Sequence, residues 1–297
     1  MINIVKNLEA ENISRLQSNY SFHNNRSTQK AISKGYSIKS TCQAHIANSI
    51  NKLNQQLENG ILLKKVSLKS NSKLDGIPTI GFPNAFIQSS FMTLYVNNRD
   101  KLEGNKAASI LYNYFSTHKA CHNCGRCSGL CYNNKFHTQY PQKAISELRI
   151  LLAYIIDPEG LAAKIIRVAK KSKSGLFRIN QDGEIHSKEQ FYWWTTICTK
   201  VPNVEFYVYT KAFSLFEECL QECEIPSNFH INMSVIEGQE KQLEKYSTLY
   251  RGNKFKMVTN IPEGSTTTCT GNCSTCGRLC MRDLPKDNNT IYCLYHN

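Results

Sequence analysis

Acidic side chains are scarce in this chain: 23 Asp and Glu face 36 Lys and Arg, a formal charge of +13 over 297 residues. That excess permits contact with nucleic acid or another polyanion, and it serves solubility equally well. Long apolar runs are missing too. No segment approaches the roughly 20 apolar residues of a membrane span, and "MINIVKNLEAENIS" puts acids and amides where a signal peptide has its apolar stretch. A cytoplasmic, reduced protein is therefore expected, in the host cytoplasm if the gene is carried by a phage, with no membrane partner. No Gly/Ser- or Pro-rich linker divides the chain. The motifs G-x4-G-K-[ST], G-x-G-x-x-G and H-E-x-x-H are absent, so nucleotide-binding and zinc-protease readings lack their usual anchors. A Ser or Cys hydrolase leaves too little trace in sequence order to be read either way.

Thiols are what the chain has in abundance. Thirteen cysteines in a reducing compartment point to metal binding or redox chemistry, because disulfides are seldom kept there. Eight of them fall in two runs. "CHNCGRCSGLC" contributes Cys121, Cys124, Cys127 and Cys131 with the spacing C-x2-C-x2-C-x3-C, that of ferredoxin-type iron–sulfur ligation, with Tyr132 in place of the usual Pro. "CTGNCSTCGRLC" contributes Cys269, Cys273, Cys276 and Cys280, spaced C-x3-C-x2-C-x3-C. Soft thiolates suit a [4Fe–4S] cluster. They suit zinc as well: Cys121-x-x-Cys124-Gly and Cys273-x-x-Cys276-Gly each resemble a zinc knuckle, and two knuckles make one tetrahedral site. Iron–sulfur and zinc, and one metal site or two, stay open at this point. Cys293 lies near enough to the tail run to be a spare ligand. Cys42, Cys198, Cys219 and Cys223 read as small core residues.

Three regions follow. Residues 1–70 are a basic, partly helical lead-in with one amphipathic stretch, "CQAHIANSINKLNQQL". Residues 71–262 form an α/β core that includes the first cysteine loop, and 263–297 form a Cys-rich metal-binding tail packed on it. Within the core, Pro141 opens a helix with apolar residues at Ile145, Leu148, Leu152 and Ile155. Asp157-Pro158 caps a second helix, and Ser187-x-x-Gln190 is a capping box for a third. The strands "LFRIN", "VEFYVYT" and "FHINMSVI" alternate with these helices, which implies a parallel sheet and a (β/α) partial-barrel-like fold.

Several polar residues fall where such sheets place ligands, at the C-terminal ends of strands. Arg178 lies in an apolar strand and calls for a partner, with Glu184 and Glu205 as candidates. Lys211 closes "VEFYVYTK", placed to hold a carboxylate or phosphate of a substrate. Of Trp193 and Trp194, one ring is expected in the core and one half-exposed. Lys164, Arg167 and Lys171 share a helix face that reads as solvated.

In order, "NSKLDGIPTIGFP", a loop closed by Cys131-Tyr132, "LFRINQDGEIHSKEQFYWWTTICTKVPNVEFYVYTKAF" and "CTGNCSTC" resemble the gene product 88 family of phages and mobile elements over residues 71–282. The chain matches that family's pattern at Arg178-Ile179, Gly183 and Tyr209-Thr210-Lys211. It departs with Asn180 where His is usual, Asp182 where Ser is usual and Glu184 where Asp is usual. A looser resemblance is to radical S-adenosylmethionine enzymes, whose cluster loop follows the first barrel strand and whose Gly-Gly-Glu segment ends the second. It implies an open cluster in the first loop, S-adenosylmethionine at Asp182, Gly183 and Glu184, and Arg178 and Lys211 as catalytic candidates that position an unknown substrate. The competing expectation is a zinc-stapled, non-enzymatic accessory protein that binds nucleic acid or a host protein.

Overall fold

A computed structural model describes residues 38–68, 76–121, 140–236 and 252–271, together with 131, 134, 137, 238, 240, 241, 244, 273, 278–282, 284, 285 and 289–294. The amphipathic stretch of the lead-in forms α1 (Ile38–Glu58), and its Cys42, Ile46, Ile50 and Leu53, spaced by three and four residues, are all buried. After the short α2 (Leu62–Lys65), α1 packs on α3 (Ala85–Asn97), α4 (Lys106–Thr117) and α5 (Pro141–Ile156). This part of the lead-in is thus built into the main core. Asn84 and Asn105 start α3 and α4 by accepting the Ile87 and Ala108 amides.

Asp157 caps α6 (Pro158–Lys170) through the Gly160 amide, as expected from its sequence. Ser187 caps α7 (Lys188–Thr199) through the Gln190 amide. The return half of the box differs: Gln190 Oε1 takes the amide of His186, one residue earlier, at 2.6 Å. Trp194 is fully buried and Trp193 partly, and Trp193 donates to the Pro158 carbonyl.

The sheet contains β1 (Leu176–Arg178), β2 (Glu205–Thr210), β3 (Phe229–Ile236), β4 (Lys254–Val258) and β5 (Thr290–Leu294), parallel throughout and in sequential order, forming a curled half-barrel. With α7 between β1 and β2 and α8 (Phe213–Glu222) between β2 and β3, the main core lies on one face of the sheet, and its curl leaves the other face concave. Residues 77–82 extend the sheet beside β1: Thr79 bridges Arg178 in parallel, and Phe82 donates its amide to the Asp182 carbonyl. At the far edge Thr268 bridges Tyr292. The sequence pattern does not mark β4 and β5: "KFKMV" alternates charge with apolar residues, and "TIYCL" lies within the cysteine-rich tail.

Strand alternation sorts the faces. Phe177, Ile179, Phe206, Val208, Phe229 and Ile231 face the helices in the main core. Leu176, Arg178, Tyr207 and Tyr209 lie on the concave side, in register with His230 and Asn232 of β3.

Candidate functional site

β1 ends because Asn180 turns the backbone to φ 53°, a region that non-glycine residues seldom occupy. Its side chain is buried, and neither amide atom has a hydrogen-bond partner among the described residues. Gly183 follows with φ 69°. A Cβ there would stand 2.7 Å from the Phe82 carbonyl oxygen and 2.8 Å from that of Pro83, so glycine is required twice over, by conformation and by space. The rim turn 180–184 is therefore tightly packed against the end of the neighbouring strand segment and carries unsatisfied polar atoms, which is unusual for a plain connection.

The first cysteine loop begins at this turn. The Glu184 amide donates to the carbonyl of Ala120, directly before Cys121. At the loop's other end Cys131 Sγ lies 3.8 Å from Asn84 Nδ2, which also donates to Asn134 Oδ1. Asn84 and Glu184 both follow strand C-termini, so the loop is anchored at the C-terminal rim of the half-barrel. Cys124 and Cys127, and Cys276 of the tail, lie outside the described residues.

The two acids of the rim turn face different partners. Glu184 is buried and accepts from Thr210 Oγ1 at 2.8 Å and from the Lys211 amide at 2.9 Å. Burial raises its pKa, against the lowering effect of Lys211. Asp182 instead forms an ion pair with Lys143. Around them, His137 Nε2 stands 2.9 and 3.1 Å from the two carboxylate oxygens of Glu147. Burial pushes Glu147 up to about 7 and Asp182 up to about 7, and pushes His137 down to about 4. Sequence reasoning missed His137, Lys143 and Glu147. The one available signal, Lys143 and Glu147 one helical turn apart beside a nearby His, is too common to stand out.

The partners expected for Arg178 are otherwise engaged. Glu184 is held by Thr210 and Lys211, and Glu205 pairs with His230. Arg178 places its guanidinium carbon 5.3 Å from the Tyr209 ring centroid. Lys211 Nζ donates to Ser234 Oγ at 2.9 Å. The two substrate-positioning candidates thus both reach the sheet's concave side, since Ser234 continues the alternation of His230 and Asn232 along β3.

The tail crosses that same concave face. Tyr207 Oη lies 3.6 Å from Cys273 Sγ, and Tyr209 Oη 2.9 Å from Cys280 Sγ. Cys269 lies at the β5 edge, its amide bound to the Tyr292 carbonyl and its thiol hydrogen-bonded to that of Cys293. The Cys293 contact, with help from the Gly271 amide and the Arg178 charge, outweighs burial and lowers the Cys269 thiol to about 6. Cys293 therefore joins the tail set. Asn253, immediately before β4, holds the carbonyls of Leu279 and Arg282, and Arg278 donates to the Ser174 carbonyl ahead of β1. These contacts fasten the tail at the N-terminal end of the strands. Elsewhere, a cleft of about 450 Å³ lined by Tyr114, Tyr154, Trp193 and Glu189 opens on the helical side, with no cysteine in its wall. No described helix is long and apolar enough to cross a membrane.

Among comparisons with known proteins, the family model described as gene product 88 matches residues 92–263, more than half of the chain. No curated protein and no solved structure matches it significantly.

Proposed function

The chain belongs to the gene product 88 family, and we propose that it is an iron–sulfur protein whose working cluster is held by the first cysteine loop. In this reading Cys121, Cys124, Cys127 and Cys131 supply the ligands at the C-terminal rim. Cys269, Cys273, Cys276 and Cys280, with Cys293 in reserve, hold a second metal over the concave face. The observation that carries the proposal is the contact between the loop and the rim turn, Glu184 amide to Ala120 carbonyl. It sets a thiol-rich loop beside a turn with buried, unsatisfied amide atoms at Asn180, on the edge where parallel (β/α) sheets take their ligands.

The donor chemistry fits the group. Closely spaced thiolates wrap an iron–sulfur cluster, and such a cluster supplies single electrons. S-adenosylmethionine is the cofactor we place at the turn, against the Asn180 amide, the Gly183 backbone and the Glu184 carboxylate. Asp182 is directed to Lys143, so its part in that seat is indirect. Arg178 and Lys211 would orient an anionic substrate from the concave side.

The test is anaerobic reconstitution followed by iron and sulfide analysis, then calorimetry with S-adenosylmethionine. Brown protein that binds the cofactor, more weakly in Glu184→Ala with its cluster retained, is the expected result. A fully loaded cluster with no binding would remove the radical-enzyme part. Colourless protein carrying only zinc would favour the second reading, a zinc-stapled accessory protein. That reading draws on the tail's position at the N-terminal end, the end of such barrels that serves stability, and on the +13 charge for a nucleic-acid partner.

A further inference from the structure

Behind the rim turn, residues from three parts of the chain converge in a buried space. His137 follows the first cysteine loop, Lys143 and Glu147 lie one turn apart on α5, and Asp182 comes from the turn itself. One ligand atom from each of His137, Glu147 and Asp182 lies within 4.8 Å of the other two. The side chains of His137, Glu147 and Asp182 are 0%, 3% and 0% exposed. We propose that His137 Nε2 and the carboxylates of Glu147 and Asp182 form a site for a divalent first-row cation of the manganese or iron(II) type, separate from the thiolate sites.

Geometry is the first support. Two ligand atoms each about 2.1 Å from a small divalent ion and at right angles to one another stand about 3.0 Å apart. The separations of His137 Nε2 from the Glu147 oxygens, 2.9 and 3.1 Å, have that size. One imidazole nitrogen and two carboxylates form a hard-to-borderline donor set suited to manganese and iron rather than to thiophilic ions.

Charge is the second. Two ionised carboxylates, one ammonium and a neutral imidazole leave one uncompensated negative charge in a buried space, an arrangement folded proteins rarely keep. The missing positive charge must come from a proton or a metal. Asp182 supplies the independent sign that the cluster is incomplete. Its side chain is fully buried against the Glu147 carboxyl, and no hydrogen-bond donor among the described residues reaches Oδ1. Of the four side chains only that of Lys143 reaches solvent, with 22% of it exposed. Its ammonium occupies the position a divalent ion would take, and it can swing to solvent when the ion enters. The metal then neutralises both carboxylates.

The probe is manganese chloride, titrated into the metal-stripped full chain and followed by electron paramagnetic resonance and calorimetry. Manganese(II) has little affinity for thiolates, so it reports this site over the cysteine sites. One equivalent per chain is expected, weakened at least about tenfold by Glu147→Gln, since a ligand is lost. Lys143→Met keeps the core intact and removes the competing cation, so it should tighten manganese binding several-fold. This second variant decides the matter if Glu147→Gln fails to fold. The proposal is overturned if folded wild-type protein takes up no manganese, if Glu147→Gln binds it equally well, or if Lys143→Met leaves the affinity unchanged or lowers it. None of these results touches the iron–sulfur reading, which stands or falls on the cysteines.

Discussion

The two cysteine runs look alike in sequence and meet different parts of the same sheet. The first is anchored at the C-terminal rim, where Ala120 meets Glu184 and Asn84 approaches Cys131. The second is fastened at the N-terminal end by Asn253 and Ser174, and it covers the concave face through Tyr207 and Tyr209. Parallel sheets separate these ends by role: ligands gather where strands end, while contacts where strands begin hold the fold together. Similar thiol spacing is thus set in different backbone surroundings.

The sharpest way to break this contrast is to remove thiols from each run. Under the proposed reading, Cys273→Ser combined with Cys280→Ser should abolish metal binding by the tail and lower the urea midpoint markedly, because a structural metal contributes folding free energy. Cys131→Ser at the rim should lower iron content and leave the unfolding midpoint nearly in place. Equal destabilisation by both would erase the distinction.

Next in size is the contrast across the sheet itself. Phe206, fully buried against the helices, should cost about 3–5 kcal/mol on truncation to Ala. Tyr209→Phe on the concave face removes only the contact with Cys280, worth about 0.5–1.5 kcal/mol. Chemical denaturation of both variants measures the ratio.

Gly183→Ala probes the rim alone. Its φ of 69° and the two carbonyl oxygens under 3 Å from a Cβ predict a cost of about 1–3 kcal/mol. Because the turn carries Glu184, cofactor affinity should fall further than stability does. A variant as stable and as active as the parent would show the turn to be an ordinary connection.

The last contrast is a pH dependence. Glu147 and Asp182 have folded-state values raised to about 7, so between about 4.5 and 7 the folded state retains protons that the unfolded chain has released, and stability falls as pH rises. His137, lowered to about 4, acts in the opposite direction between 4 and 6.5. With two groups against one, metal-stripped protein should lose about 1.4 kcal/mol per pH unit over the shared window. Glu147→Gln should flatten that slope, and thermal melts across this range will show whether it does.

Much of the architecture was readable because it rests on local chemistry. Asp157 and Ser187 cap helices, and Ile145, Leu148 and Leu152 recur at helical spacing and are buried. "VEFYVYT" and "FHINMSVI" became neighbouring parallel strands. Local signals failed at "KFKMV" and "TIYCL", where the half-barrel recruits segments whose own pattern is ambiguous. They failed again at Glu184, read as a partner for Arg178 and instead held by Thr210 and Lys211, a pairing that depends on how β1 and β2 align.

By itself, then, the sequence determined the α/β class, the helix starts, three of the strands and the presence of two thiol runs, since caps, periodicity and residue spacing act over a few residues. Tertiary structure alone decided where on the sheet each thiol run lies and that His137, Glu147 and Asp182 meet. Those outcomes depend on strand order and crossover hand, which bring together groups as much as 45 residues apart through contacts that no short window of sequence contains.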